Sequence, residues 1–447
     1  MKQYFSRRID QHLLDWKNKS NRKPLLLRGA RQVGKSTAVR QLASQFKYFL
    51  EVNLEREKNI ISLFGNNLNV KTICSQLSVI YNTPIVPNET LLFIDEIQES
   101  QRAISALRFF YEDYPELHVI AAGSLLEFAL RDLPSFGVGR ISSLYMYPFS
   151  FDEFLCAQNL ELQVEYKKTK ADCNNPLPQV IHEQLVAQLR SFYLVGGMPE
   201  AVSRWVQTAD YKECAFVHQD ILTTYQDDFK KYKTKISPIL LSQTLKSVAL
   251  QAGTKFVYKQ VGEQTNSASI KDALNLLTLS GLAAPVIHTS ANGIPLGAEI
   301  NPKFSKYLFL DVGLMQTLLG AQASDALLSK ETEFVNKGGL SEVFAGLELI
   351  KHSNPHRVAE LYYWQRTEKN AQAEVDYVIE LNSKIYPIEV KANKSGSMQS
   401  MYKFMELKNC DFGIRTSLES FGEYKNIKVM PLYALSNICD LELQTMS

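Results

Sequence analysis

RGARQVGKST, residues 28–37, is the stretch that decides the fold. The apolar run PLLL (24–27) leads into it, and a helical pattern over residues 35–46 leads out. Gly29, Gly34, Lys35 and Ser36 fall on the spacing GxxxxGK[ST], and a strand before it with a helix after it is the context that gives this spacing meaning. Glycines let the backbone curl until successive N–H groups face one cluster of oxyanions, and the following helix adds its positive end. The loop Gly29, Ala30, Arg31, Gln32, Val33, Gly34, Lys35, Ser36 and Thr37 is therefore expected to hold the phosphates of ATP. Lys35 would reach the β- and γ-phosphates, Ser36 would ligate Mg²⁺, and Thr37 would add a phosphate contact.

Outward from the loop, strands and helices alternate. KYFLEVNLE (47–55), LLFIDE (91–96) and HVIAAGS (118–124) read as strands, residues 3–18 as a helix, and SSLYMYPFS (142–150) as an extended stretch before a helix starting at Phe151. This alternation predicts a parallel α/β sheet. LLFIDE is apolar without a break, as a strand buried on both faces requires. Its end places Asp95 to hold Mg²⁺ through water and Glu96 to orient and deprotonate the attacking water; capping of the next helix is the plainer role for the same two residues. The order of strands resembles the AAA+ ATPases. That resemblance makes Ser124 a sensor near the γ-phosphate, with a packing or capping serine as the alternative. It also asks for a cation at the transition state, for which Arg140 in GVGRIS is preferred to Arg131, a surface arginine being the alternative.

The chain turns polar over residues 155–180 and reads there as a linker or loop. Residues 181–230 read as helical, interrupted by VGGMPE (195–200). VYKQVGEQTNSASIKDALNLLTLSGL (257–282) resembles a winged helix, with Ser267–Leu279 as recognition helix and the next strand beginning a wing. Such helices enter the major groove of DNA. This one carries Lys271 as its single basic residue, so a packing module fits the same residues.

Eight segments extend the resemblance over nearly the whole chain: RGARQVGKST, LLFIDEIQ, AAGSLLEF, YMYPFSFDEFL, LVGGMPEAV, YLFLDVGL, YYWQRT and EVDYVI with YPIEVKA. Together, and in this order, they are similar to prokaryotic AAA+ ATPases with a C-terminal domain of unknown function that has nuclease-like features. The expected architecture is α/β: a P-loop AAA+ domain (1–155), a helical region with a winged-helix-like module (156–325), and a PD-(D/E)XK, restriction-endonuclease-like domain (326–447).

The C-terminal hairpin carries the nuclease-like reading. Glu389 and Lys391 lie two apart on a strand and share a face. A turn at Asn382-Ser383 would set Asp376 opposite Glu389 and Glu374 opposite Lys391. Carboxylates about 5 Å apart across strands can share Mg²⁺, and a lysine beside them can orient the hydrolytic water. Residue by residue, the resemblance implies Glu342, Asp376 and Glu389 as metal ligands, with Asp376, Glu389 and Lys391 catalytic. An alternating hairpin with a solvated acidic face and a Glu374–Lys391 ion pair would look the same in sequence.

A net charge of +2 neither requires nor excludes nucleic acid. Six scattered cysteines show no metal-ligand spacing and no disulfide framework, the N-terminus lacks the apolar core of a signal peptide, and no apolar run nears the ~20 residues of a membrane helix. A cytoplasmic protein without membrane contact is expected. The leading expectation is an Mg²⁺-dependent ATPase coupled to DNA binding or processing. The alternative is a regulatory or signalling ATPase whose silent C-terminal module binds a protein partner. The AAA+ resemblance also admits a homo-oligomer.

Overall fold

β1 (Leu25–Arg28) buries its three leucines completely. In the computed structural model, which describes residues 4–65, 68–124, 126–131, 139–230, 236–262, 265–320, 337–366, 373–392 and 397–438, it lies inside a parallel sheet. The other strands are β2 (Tyr48–Asn53), β3 (Thr90–Asp95), β4 (His118–Ala122) and β5 (Ser142–Tyr145), and the order among the described residues is β2-β3-β4-β1-β5. All four pairings are parallel. β3 and β4 are buried at every position, as expected for strands covered on both faces. Helices Val70–Ile80 and Gln101–Asp113 pack Ile73, Leu77, Ile104 and Leu107 against β3 and β4. Asn69 and Ser100 cap them by accepting from the backbone N–H of Thr72 and Ala103. The parallel strands β1 and β3 therefore end on the same edge, which puts residues 29–37 beside Asp95 and Glu96.

The chain divides into two compact units: residues 1–147 with 354–358, and residues 148–353 with 359–447. The second unit contains a mixed sheet in the order β12-β13-β11-β10-β9-β8-β6-β7. Its strands are β6 (Ala283–Thr289), β7 (Ile300–Phe309), β8 (Leu361–Gln365), β9 (Glu374–Leu381), β10 (Lys384–Val390), β11 (Gly413–Ser417), β12 (Gly422–Tyr424) and β13 (Ile427–Pro431). β9 and β10 form the expected hairpin. Asn382 and Ser383 both take the left-handed conformation, as a two-residue turn matching strand twist requires. Lys384 then lies opposite Leu381 and Ile388 opposite Tyr377. The strand read as the start of a wing is β6, which pairs with β7 and also, in parallel, with β8. It is part of the C-terminal sheet.

The polar stretch 155–180 departs from the linker reading. Glu161–Thr169 is a helix, and its Lys167 is fully buried. The Lys167 ammonium lies 2.7 Å from Asp152 and donates to the Ser436 hydroxyl at 2.8 Å, while Lys168 lies 3.0 Å from the same Asp152. Burial alone would raise the Asp152 carboxyl, but the two ammonium groups hold it well below the usual range. Three lysines in four positions therefore record a buried ion pair as well as a wet face. Two motif-like segments have a similar explanation. Asp311, fully buried, accepts from the N–H of Gly313, Leu314 and Gly197. A Cβ on Gly196, which has φ of +66°, would lie 2.0 Å from the same carboxylate.

Replacing Lys167 with methionine leaves buried Asp152 with Lys168 as its ammonium partner. The second unit should lose about 3 kcal/mol, read as a lowered urea midpoint with an unchanged slope.

Candidate functional site

Gly29 leaves β1 with φ of +142°, and Gly34 enters helix Lys35–Ala43 with φ of +100°. Gln32 between them is also left-handed, at +66°. The loop curls because these positions take conformations that L side chains rarely adopt. Gly29 is further constrained by packing: a Cβ there would lie 2.1 Å from the Met146 carbonyl oxygen. Arg7, 7% exposed, fixes the other side, donating to the carbonyls of Val33 at 3.2 Å and Tyr147 at 2.7 Å.

Inside the loop, Lys35 is buried and donates to the carbonyls of Gly29 and Ala30, both at 2.8 Å. Burial pulls its ammonium down to about 8, against the opposing pull of Glu96 and Asp95. Ser36 donates to an Asp95 carboxylate oxygen at 2.9 Å, and Asn53, at the end of β2, approaches that oxygen at 3.5 Å. The other Asp95 oxygen accepts the Glu96 backbone N–H at 3.1 Å. Burial raises the Asp95 carboxyl and Ser36 opposes the shift. Glu96 is left-handed (φ +51°), a conformation costing about 1 kcal/mol outside glycine. Its carboxylate accepts from the Gln98 amide at 2.7 Å and from Ser124 at 3.5 Å.

Thus Lys35, Ser36, Asp95, Glu96 and Ser124 lie within one hydrogen-bonded neighbourhood, joined by Asn53 and Gln98. Arg140 is held elsewhere in the unit, in an ion pair with Glu112. The side chain of Arg131 lies outside the described residues. The sequence reading passed over Arg7, Asn53 and Gln98. Asn53 and Asp95 occupy matching ends of neighbouring strands, so a polar residue closing β2 was the available signal for one of them. Arg7 had none, since its partners are backbone carbonyls distant in sequence.

Serine and aspartate oxygens of this kind fit a hard, oxygen-seeking cation, and the loop and carboxylate fit a triphosphate carrying one. Residues 21–155 match the family described as AAA domain. This region is an AAA domain. Residues 186–325 and 337–435 match two families described as domains of unknown function, DUF8612 and DUF4143. No curated protein matches the chain. Among solved structures, unliganded Pif1 from Bacteroides sp. is similar at 16% identity and a TM-score of 0.21 over 38% of this chain; the match spans half the length of that Pif1 chain. The Thermotoga maritima RuvB Holliday junction branch migration motor is similar at 15% identity and a TM-score of 0.29, over 63% of this chain and 89% of its own. The AAA domain makes this a nucleotide-binding ATPase. No helix among the described residues is long and apolar enough to cross a membrane.

The second candidate site lies at the β9–β10 hairpin. Asp376 accepts the Val390 backbone N–H at 2.8 Å, tying it across the hairpin. Lys391 pairs with Glu389 at 2.5 Å. Glu374 does not pair with Lys391 as its place in the hairpin suggested: its partner at 2.5 Å is Lys306 of β7. The same Lys306 ammonium lies 2.7 Å from Glu342 and 3.7 Å from Asp376, and Lys306 is 1% exposed. Burial opposes its charge, but Glu342, Asp376 and Glu374 more than offset this and hold it above the ordinary lysine range. Burial and the Asp376 carboxylate push the Glu342 carboxyl up, and the Lys306 ammonium opposes that shift. The same two causes raise Glu389, whose second oxygen is buried without a hydrogen-bond partner. Sequence reasoning missed Lys306. Its signal was faint: Lys306 and Leu308 alternate on one face of a strand, so a lysine stood where the pattern wanted an apolar residue.

An alanine at Gly29 meets both the backbone conformation and the Met146 carbonyl. Gly29→Ala should weaken binding of a fluorescent ATP analogue at least tenfold while leaving the second unit folded by near-ultraviolet circular dichroism.

Proposed function

We propose that the chain hydrolyses Mg²⁺-bound ATP at the loop of residues 29–37, and that the second unit couples this cycle to DNA. The observation that carries the ATPase half is the 2.9 Å hydrogen bond from Ser36 to Asp95, with Lys35 buried in the loop beside it. Mg²⁺ would take the Ser36 hydroxyl directly and Asp95 through water, and would supply charge neutralisation between the phosphates. The backbone N–H groups of residues 29–37 receive the phosphates. Lys35 exchanges its loop carbonyls for phosphate oxygens, which are stronger acceptors. Glu96 is the base: released from Gln98, its carboxylate takes the proton of the attacking water. Ser124, already beside Glu96, senses the γ-phosphate.

Glu96→Gln keeps size and hydrogen bonding but removes the base. It should retain ATP binding and lose at least a hundredfold in turnover, measured by phosphate release beside equilibrium binding. Turnover within twofold of the parent would remove Glu96 from this role.

For the second unit, the winged-helix and nuclease-like resemblances support DNA engagement. One observation favours the other reading, a protein partner. The outward residues of helix Ser267–Leu279 include Ser267, Ala268, Lys271, Asp272 and Asn275, a face on which one positive charge is matched by one negative. DNA binding that neutralises phosphates is salt-dependent. Duplex DNA should therefore raise the ATPase rate at low salt and lose this effect at high salt; a rate indifferent to DNA at both would favour the protein partner. Either reading places the chain in the cytoplasm, and Arg140 remains a candidate for a neighbouring subunit's site in a homo-oligomer.

A further inference from the structure

A PD-(D/E)XK nuclease needs a divalent cation among its carboxylates, and the residues here do not fit one. Glu342, Glu374 and Asp376 converge on the ammonium of Lys306, at 2.7, 2.5 and 3.7 Å. Among the described residues no three His, Cys, Asp or Glu side chains are grouped to hold a metal ion by themselves. We infer that Lys306 is a built-in substitute for the metal: its ammonium, inserted from β7, closes the nuclease-like carboxylate cluster against divalent cations.

The chemistry of the position supports this. An ammonium offers three N–H donors in a compact point charge, so it can satisfy several carboxylate oxygens at once. A divalent cation in the same place would lie within ion-pair distance of that charge, and their repulsion would be severe with so little water between them. Lys306 cannot easily withdraw. It is 1% exposed, its ammonium lies 5.2 Å from the centre of the Tyr363 ring, and its strand pairs with β6 at Val286. The surrounding packing is equally tight. Tyr377 donates to the Glu342 backbone carbonyl at 2.7 Å, and a Cβ on Gly346 would lie 2.4 Å from the Tyr377 hydroxyl. A Cβ on Gly253 would lie 2.9 Å from the Glu342 carboxylate. The helix bearing Glu342 is therefore held close to the sheet. The remaining pair, Glu389 and Lys391, is joined at 2.5 Å. The second oxygen of Glu389 is buried without a hydrogen-bond partner, and Glu389 is within electrostatic reach of Asp376 and Lys306.

Hence this unit binds its partner without cutting by metal-assisted hydrolysis. The inference does not depend on whether that partner is DNA or protein, nor on ATP hydrolysis.

The test is Mn²⁺ binding to the nucleotide-free full chain, followed by electron paramagnetic resonance of free Mn²⁺. The parent chain and Asp376→Asn should give the same isotherm. Lys306→Met should gain about one site per chain, and Asp376→Asn added to it should abolish that site. An Asp376-dependent site in the parent would overturn the inference, and so would a folded Lys306→Met chain without the gained site. If Lys306→Met does not fold, Lys306→Gln keeps a hydrogen-bond donor for the carboxylates without the charge and is read the same way. The comparison of parent with Asp376→Asn can overturn the inference without either.

Discussion

A charge taken out of water must be paired, and much of the second unit is arranged around that constraint. Asp152 with Lys167 and Lys168, Glu348 with Lys351, and Lys306 with Glu342, Asp376 and the half-exposed Glu374 each bring carboxylates to a lysine from another part of the unit or from the same helix. Removing one partner strands the other, at a cost well above that of an exposed pair. Polar side chains also bind irregular backbone: the Glu348 carboxylate accepts the Phe151 N–H, and Lys351 donates to the Phe149 carbonyl at 2.9 Å. These bonds join residues about 200 positions apart. They explain why the middle of the chain and its C-terminal third fold together.

The same constraint works differently in the nucleotide site. There the buried groups are paired in ways that can be exchanged. Lys35 is held by two neutral carbonyls, Ser36 by Asp95, and Glu96 by the Gln98 amide. For Lys35 and Ser36 these are weaker partners than the phosphate and cation proposed to replace them. A lysine among carbonyls can be drawn to phosphate, whereas a lysine among three carboxylates has no stronger partner to go to. The comparison of Lys35 with Lys306 thus separates a site built to change partners from one built to keep them.

Local signals made the first unit legible. The glycine spacing, the unbroken apolar run before Asp95 and the strand–helix alternation are all short-range, and a parallel α/β sheet places its strand ends predictably. The hairpin register was equally local, because Asn382 and Ser383 fix it through the turn. Long-range electrostatics remained hidden. Lys306 precedes its hairpin partners Glu374 and Asp376 by some seventy residues, and Lys167 lay in a run whose composition resembled a linker. Hydrophobic periodicity identifies a face as buried, but it does not identify which distant charge will be brought there.

This difference alters how the motif-like segments should be understood. LVGGMPEAV and YLFLDVGL suggest chemistry in a linear sequence, because paired glycines and an isolated aspartate are common in active sites. In the folded unit, Asp311 instead gathers the N–H groups of Gly197, Gly313 and Leu314, and Gly196 lacks a Cβ because the carboxylate occupies that space. YMYPFSFDEFL similarly supplies Asp152 to Lys167 and the Phe151 N–H to Glu348. The carboxylates of the C-terminal hairpin belong with these cases. Their spacing satisfied a nuclease pattern, yet their nearest cation is a side chain of the same unit. A pattern of acidic residues specifies a need for positive charge; the lysine opposite determines that the chain itself meets it.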